Sequence, residues 1–349
     1  MTTRRPLTIA LLFATPGTSW GGMERHTLDL AEELSIRGHS VHVMAHPEYQ
    51  TRFSGNVHFH HLPVQRSRLN PLLWLSLRRC VRSVQPDVLH AHGSKAARLA
   101  QQMSLRSTLL RVGTVHGIKK QHRGFEHLDA VIAVSPAIHQ SLTHSNKKLI
   151  YNGISMVPAR QKNPATESRE TPVASSAPPH CIAVGRLEPV KGFHALIEAW
   201  SQIKKPATLT IYGEGSERHR LAHLIEKLEL RDRVKLAGYQ PDLQSAYDRA
   251  DLTVISSERE GFSYVLLEAL TAHCPVVSTP VAGPLELLPK TALSRGTDAL
   301  ALRDLLNKTL DDLSALRTQQ IPAMQRVRNH FSIATMVDHI EQLYYRVLT

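Results

Sequence analysis

Residues 181–212 read CIAVGRLEPVKGFHALIEAWSQIKKPATLTIY, and this stretch decides the architecture. The apolar run 181–184 has the length of a buried strand, and 208–212 repeats that pattern. Between them, Phe193, Leu196, Ile197 and Trp200 recur at spacings of three and four, which predicts a helix over 193–203. A strand, a helix and a second strand joined this closely form a crossover unit, and crossover units build parallel sheets. The first turn, residues 185–192 (GRLEPVKG), places Arg186 and Lys191 five apart at a strand's carboxyl end. Two cations so placed converge on one polyanion, with Arg as a fork and Lys as a point charge. A diphosphate fits that grip; the plainer reading is two solvated surface cations.

Working outward, the alternation continues downstream with helices over 218–228, 243–249 and 263–272 and strands over 234–236, 252–255 and 276–278. Upstream, residues 156–179 turn to Pro, Ser, Thr, Ala and charges without periodicity, the composition of a linker. Before it lie strands over 7–13, 41–45, 57–62, 87–90 and 109–115, weaker ones over 131–134 and 149–151, and helical spacing over 27–36 and 71–84. The expected fold is α/β, with two doubly wound Rossmann-like domains and an interdomain cleft, where ligands of parallel sheets bind. The expected division is 1–165 for the N-terminal domain, 166–179 as linker, and 180–330 for the C-terminal domain. Residues 331–349 form a last amphipathic helix packing across both. Residues 1–14 imitate a signal peptide, two arginines before an apolar run, but the run has strand length and ends at Pro16 and Gly17.

The chain of 349 residues is 42% hydrophobic and 21% charged, values of a globular protein, and no run approaches the ~20 apolar residues of a membrane span. Cys80, Cys181 and Cys274 are scattered, so neither a disulfide framework nor a thiolate metal site is suggested, and a cytoplasmic location follows. The net charge is +12. All of it lies in residues 1–170, where 22 basic residues face 10 acidic ones; 12 of the basic residues fall from Arg66 to Arg123, with Asp87 as the one acid there. Such a surplus points to an anionic partner.

Two further constellations carry chemistry. Gly21 and Gly22 follow the first strand and open a helix, so they suit a phosphate contact or simply a tight turn. Glu260 and Glu268 are eight apart, one on a Gly-Phe loop and one on an apolar helix, roughly 12 Å along a regular helix. That is too far for an acid/base pair on one bond and suits two carboxylates on different hydroxyls of an elongated ligand. His58, His60 and His61 share one strand and His90 and His92 another, but without a carboxylate cluster or D-x-D motif no metal site is expected.

Taken in order, the motifs at residues 21–24 (GGME), 86–92 (PDVLHAH), 113–117 (GTVHG), 133–135 (AVS), 151–154 (YNGI), 185–192, 212–215 (YGEG) and 260–268 run through nearly the whole chain. In this the chain resembles the retaining GT-B glycosyltransferases of family 4 that build lipopolysaccharide, capsule and glycolipid. The resemblance implies a nucleotide-sugar donor, a saccharide or glycolipid acceptor and no cofactor. It assigns Arg186 and Lys191 to the leaving diphosphate, Glu268 to the ribose, Glu260 to the donor sugar and Gly261, Phe262, Ser263 and Tyr264 to the sugar and phosphate. Gly21 and Gly22 are assigned to the diphosphate from the other domain, His116 to the sugar near the reacting centre and Tyr239 to the base. Three departures stand out. Only 18 residues separate His116 from Ser135, which trims the acceptor side; Ser155 replaces a frequent Asp; and Ala282 precedes Gly283 where Gly-Gly is usual.

The expected function is transfer of a hexose-type sugar, from a UDP-sugar, to a lipid-linked or lipopolysaccharide-core acceptor. No second carboxylate nucleophile is evident, so front-side displacement assisted by the diphosphate is the expected route. The competing readings are a nucleotide-sugar epimerase of related fold, a basic nucleic-acid- or membrane-binding protein, and an inactive sugar-binding scaffold. Nucleic acid is not an expected partner, because no recognition module is visible and aromatic residues are 5%. An anionic inner-membrane surface is. In the helix predicted over 71–84, capped by Asn70, the outward arc mixes Leu72 and Leu75 with Arg78, Arg79 and Arg82, which suits such a surface. Alternatively, the two leucines pack under a neighbouring helix.

Overall fold

The structure, a computed structural model, describes residues 5–16, 20–103, 108–118, 121–156 and 177–348. Most of the expected 166–179 linker lies outside them. By contacts the chain forms two units, Met1–Gly153 with Ser332–Thr349, and Ile154–Phe331. The expected boundary near 165 thus becomes a split after Gly153. The C-terminal helix, expected to pack across both domains, groups with the first.

The first unit is built on β1 (Thr8–Phe13), whose residues are buried on both faces as an inner strand of a parallel sheet requires. Around it stand β2 (Ser40–Ala45), β3 (His58–His61), β4 (Val88–His92), β5 (Leu110–Val115), β6 (Ala130–Ala133) and β7 (Lys147–Leu149), in the order β3-β2-β1-β4-β5-β6-β7, all parallel. Between β1 and β4 the winding reverses. Helices α1 (Gly22–Ile36), α2 (Pro71–Val84), α3 (Gly93–Ala100) and α4 (Pro136–Ser141) connect the strands. Relative to expectation, β4 runs two residues further, to His92, which brings that histidine to the carboxyl edge of the sheet, while α1 begins at Gly22, at the glycine turn expected to open it.

The second unit repeats the plan with β8 (His180–Val184), α5 (Phe193–Trp200), β9 (Thr208–Tyr212), α6 (Arg218–Lys227), β10 (Val234–Gly238), α7 (Gln244–Arg249), β11 (Leu252–Ile255), α8 (Tyr264–Thr271), β12 (Val276–Ser278) and α9 (Ala282–Leu287). Its parallel sheet has the order β10-β9-β8-β11-β12 and reverses between β8 and β11. Two helices that sequence periodicity left unassigned, α10 (Ala299–Asp311) and α11 (Leu313–His330), complete it.

The last helix, α12 (Ile333–Leu348), returns to the first unit. Met336, Val337, Ile340, Leu343 and Tyr344 enter the same buried cluster as Leu11, Phe13, Leu30 and Val112. Arg37 at the end of α1 holds it from outside, bonding Asp338 at 2.6 Å and Glu341 at 3.0 Å.

Candidate active site

In the second unit, the loops after β8 and β11 flank the point where strand order reverses, the place where open parallel sheets bind ligands. They are tied together. Glu258 N–H donates to the Val190 carbonyl at 2.9 Å, and the Ser256 hydroxyl donates to the Lys191 carbonyl at 2.8 Å. Gly192 sits at φ 65°, and a Cβ there would lie 2.1 Å from the Ser256 carbonyl oxygen. Only glycine lets the two backbones approach this closely. The result is that Lys191 Nζ bonds Glu260 Oε1, an ion pair with side chains 19% and 12% exposed. Ser257 donates a second bond to the same carboxylate oxygen at 2.8 Å.

Neighbouring loops brace the rim. Leu187 N–H donates to the Glu214 carbonyl at 2.9 Å, and Gly213 N–H to the Gly238 carbonyl at 2.8 Å. Arg186 projects from it exposed, and Tyr239, 47% exposed, follows β10 on the same rim. Gly261, Phe262 and Ser263 are buried; Phe262 stacks on Phe331 at 5.7 Å between centroids, and Ser263 precedes α8 as its N-cap. Because α8 begins at Tyr264, Glu268 lies only four residues, about 6 Å, inside the helix. The two carboxylates therefore stand on loop and helix as expected, with less helical rise between them than a continuous helix would give. Glu268 accepts a 2.8 Å bond from the buried Tyr247 hydroxyl, and burial plus that carboxylate hold the Tyr247 proton on. Sequence reasoning missed Tyr247, Ser256 and Ser257; the helix over 243–249 was legible, but not which way Tyr247 faces.

In the first unit the corresponding reversal lies between β1 and β4. Gly21 caps α1, its N–H bonded to the buried Glu24 carboxylate at 3.1 Å, and Gly22 is exposed as the first helical residue. His116 follows β5. It is joined by two histidines that sequence reasoning did not place beside it: His92 Nδ1 lies 3.2 Å from His116 Nε2, and the His26 ring packs edge-on to His116 at 4.8 Å. Burial pushes His26 down to about 4, and burial with neighbouring imidazoles holds His90, His92 and His116 well below the usual histidine range, so all are neutral. On the strand face that His90 and His92 share, the rings stack 4.3 Å apart. At the sheet edge, His42 Nδ1 and His60 Nε2 are 2.9 Å apart.

On α2, the Asn70 side chain accepts from Leu72 N–H at 3.0 Å, the expected cap. Leu73, Leu77 and Val81 are buried, whereas Leu72 is 53% and Leu75 55% exposed, beside exposed Arg78, Arg79 and Arg82. Among the described residues, no helix covers the two leucines. Among the described residues no helix is long and apolar enough to cross a membrane.

Residues 20–156 match the family described as Glycosyltransferase Family 4, and residues 165–325 match Glycosyl transferases group 1. The chain is a family-4 glycosyltransferase. This glycosyltransferase is 28% identical over 271 residues to the lipopolysaccharide core biosynthesis glycosyltransferase LpsE of Rhizobium meliloti (strain 1021), covering 76% of this chain and 77% of that protein. It is 26% identical to the N-acetyl-alpha-D-glucosaminyl L-malate synthase of Bacillus anthracis, covering 95% of each. Among solved structures, Anabaena Alr3699/HepE in complex with UDP aligns with a TM-score of 0.79 at 20% identity, covering 97% of this chain and all of that one. At that identity the likeness speaks to the fold, which is GT-B.

Proposed function

We propose that this glycosyltransferase moves a hexose-type sugar from a UDP-sugar to a lipid-linked or lipopolysaccharide-core acceptor, with retention and without a metal. The observation that carries the reading is the Lys191–Glu260 pair, fixed at the strand-order reversal by Ser256, Ser257 and Gly192. A cation held there before the ligand arrives stabilises charge that develops on a departing diphosphate, and pre-positioned charge needs no reorganisation in the transition state. Arg186 supplies a second cation from the same loop, so the two take the place of a divalent ion. Glu260, already oriented by Lys191 and Ser257, bonds hydroxyls of the donor sugar. Glu268, oriented by Tyr247, bonds the ribose, with Tyr239 by the base and Gly261, Phe262, Ser263 and Tyr264 along the sugar and phosphate. On the first unit Gly21 and Gly22 are assigned to the diphosphate and His116 to the sugar. The substrate class is supported by the names of the relatives, LpsE for the acceptor and the UDP complex of HepE for the nucleotide.

The exposed leucines and arginines of α2 support docking on the anionic cytoplasmic face of the inner membrane, which also gathers a lipid-linked acceptor. A thermal-shift screen of UDP, GDP, ADP and their sugars tests the donor, since a ligand selective for the folded state raises apparent stability with the logarithm of its saturation. UDP and one UDP-sugar are expected to stand out. NMR of the product is then expected to show the donor's anomeric configuration kept, with turnover unchanged in EDTA. An inverted product, selective GDP binding or loss of activity in EDTA refutes the corresponding element. Sugar converted without acceptor makes the protein an epimerase.

A further inference from the structure

We propose that His26, His92 and His116 form a binding site for a borderline divalent cation of the zinc class. One nitrogen from each ring lies within 4.8 Å of the others. Among the described residues this is the one group of three or more histidine, cysteine or carboxylate side chains so arranged. The side-chain partners distinguish this trio from ordinary buried histidines. His90, two residues upstream on β4, is satisfied at both nitrogens, Nδ1 by Tyr344 at 2.6 Å and Nε2 by Thr114 at 2.7 Å. His92 Nε2 and His26 Nε2 are buried with no hydrogen-bond partner, in rings 1% and 0% exposed. A buried polar atom without a partner is destabilising unless something else engages it.

The tautomer at His26 points the same way. Its Nδ1–H donates to Asn152 Oδ1 at 3.1 Å, which leaves Nε2 as a bare lone pair. A histidine whose second nitrogen is held by a carbonyl-type oxygen is the usual arrangement of a metal ligand, because that bond fixes the ring and raises its basicity. A tetrahedral ion with ~2.05 Å bonds holds its ligand nitrogens ~3.3 Å apart, so binding closes the separation of up to 4.8 Å between these rings. Three neutral imidazoles and no carboxylate suit zinc, cobalt, nickel or copper and not magnesium or calcium, which take oxygen. The fourth position stays open to water or to an oxygen of a ligand.

One consequence rests on the transferase reading above. An ion held there engages His116 and withdraws it from the donor sugar, so the cation opposes transfer, which itself proceeds without metal.

The test titrates tag-free, full-length, metal-stripped protein with Co²⁺. The expected result is one saturable equivalent with the intense visible bands of four-coordinate cobalt, displaced by Zn²⁺. His26→Gln and His92→Gln are each expected to abolish it, and Asn152→Ala to weaken it about 10- to 100-fold. A His42→Gln/His60→Gln double variant, altered at the other imidazole pair, keeps it. Thermal melts without metal establish which variants fold. Should His26→Gln fail to fold, X-ray absorption of the zinc-loaded native protein reports three imidazole nitrogens at about 2.0 Å. No saturable equivalent, a six-coordinate oxygen environment, binding that survives in both folded single variants, or loss in the His42/His60 variant overturns the site. Zinc that saturates it while turnover continues unchanged overturns the inhibitory consequence. Cobalt binding is read without any sugar donor, so failure of the transferase reading leaves this result standing.

Discussion

At the residue scale, Lys191 and Glu260 act as one unit. Removing either leaves its partner mostly buried and short of a charge-assisted bond, since Glu260 retains only Ser257 and Lys191 loses its sole anion among the contacts described. Lys191→Ala and Glu260→Ala are each expected to lower turnover by about 10²- to 10³-fold, the loss typical of one oriented electrostatic contact. Because the two are coupled, the double variant is expected to lose little more than the worse single one, a non-additivity of about 3–4 kcal/mol at ~1.4 kcal/mol per tenfold in rate. Steady-state rates on the four proteins, with circular dichroism to confirm folding, complete the cycle; losses that simply add would separate the two roles. Both residues were legible in the sequence, because a Pro-Gly turn after a strand and a carboxylate before Gly-Phe are local signals. Tyr247 and the His26 and His92 partners of His116 were not. The histidines meet because strands β1, β4 and β5 lie side by side, and Tyr247 reaches Glu268 because α7 packs against α8; no local pattern reports either.

At the scale of elements, the buried parallel strands were the easiest to foresee, because burial on both faces leaves them as short apolar runs. β9, β11 and β12 fall where those runs predicted. Strand β3 is an edge strand of three histidines and Phe59, and the apolar residues flanking it made it look longer. The helix α11 carries Pro322 in its interior, the residue that ordinarily argues against a helix, and its apolar pattern is faint. Helix α2 was legible to the residue, cap included, yet the fate of its outer leucines was not, because exposure is decided by what else packs there. If α2 docks on a membrane as proposed, the three arginines beside the exposed Leu72 and Leu75 contribute to that binding measurably. Replacing Arg78, Arg79 and Arg82 by Gln is expected to weaken binding to anionic vesicles by about 100-fold at low salt, from about 1 kcal/mol per cation. Flotation with and without anionic lipid checks it, and unchanged binding would assign the surface another role.

At the scale of the molecule, the first unit is discontinuous. Its core closes only with α12, where Ile340 and Tyr344 are fully buried among residues of β1, β5 and α1. Ile340→Ala is expected to cost about 2–5 kcal/mol through lost burial and the cavity left behind. The loss belongs to one unit: amide hydrogen exchange should show weakened protection in β1, β4 and β5 and unchanged protection in β8 and β11. Uniform loss would mean that the two units unfold together. The arrangement also sets an order of assembly. Residues 154–331 leave the ribosome with everything their own sheet needs, whereas the sheet begun at β1 waits for 332–348, synthesised after the whole second unit. The half of the protein that is made first is therefore finished last, and until then the underside of its central strands is a surface for chaperones to cover.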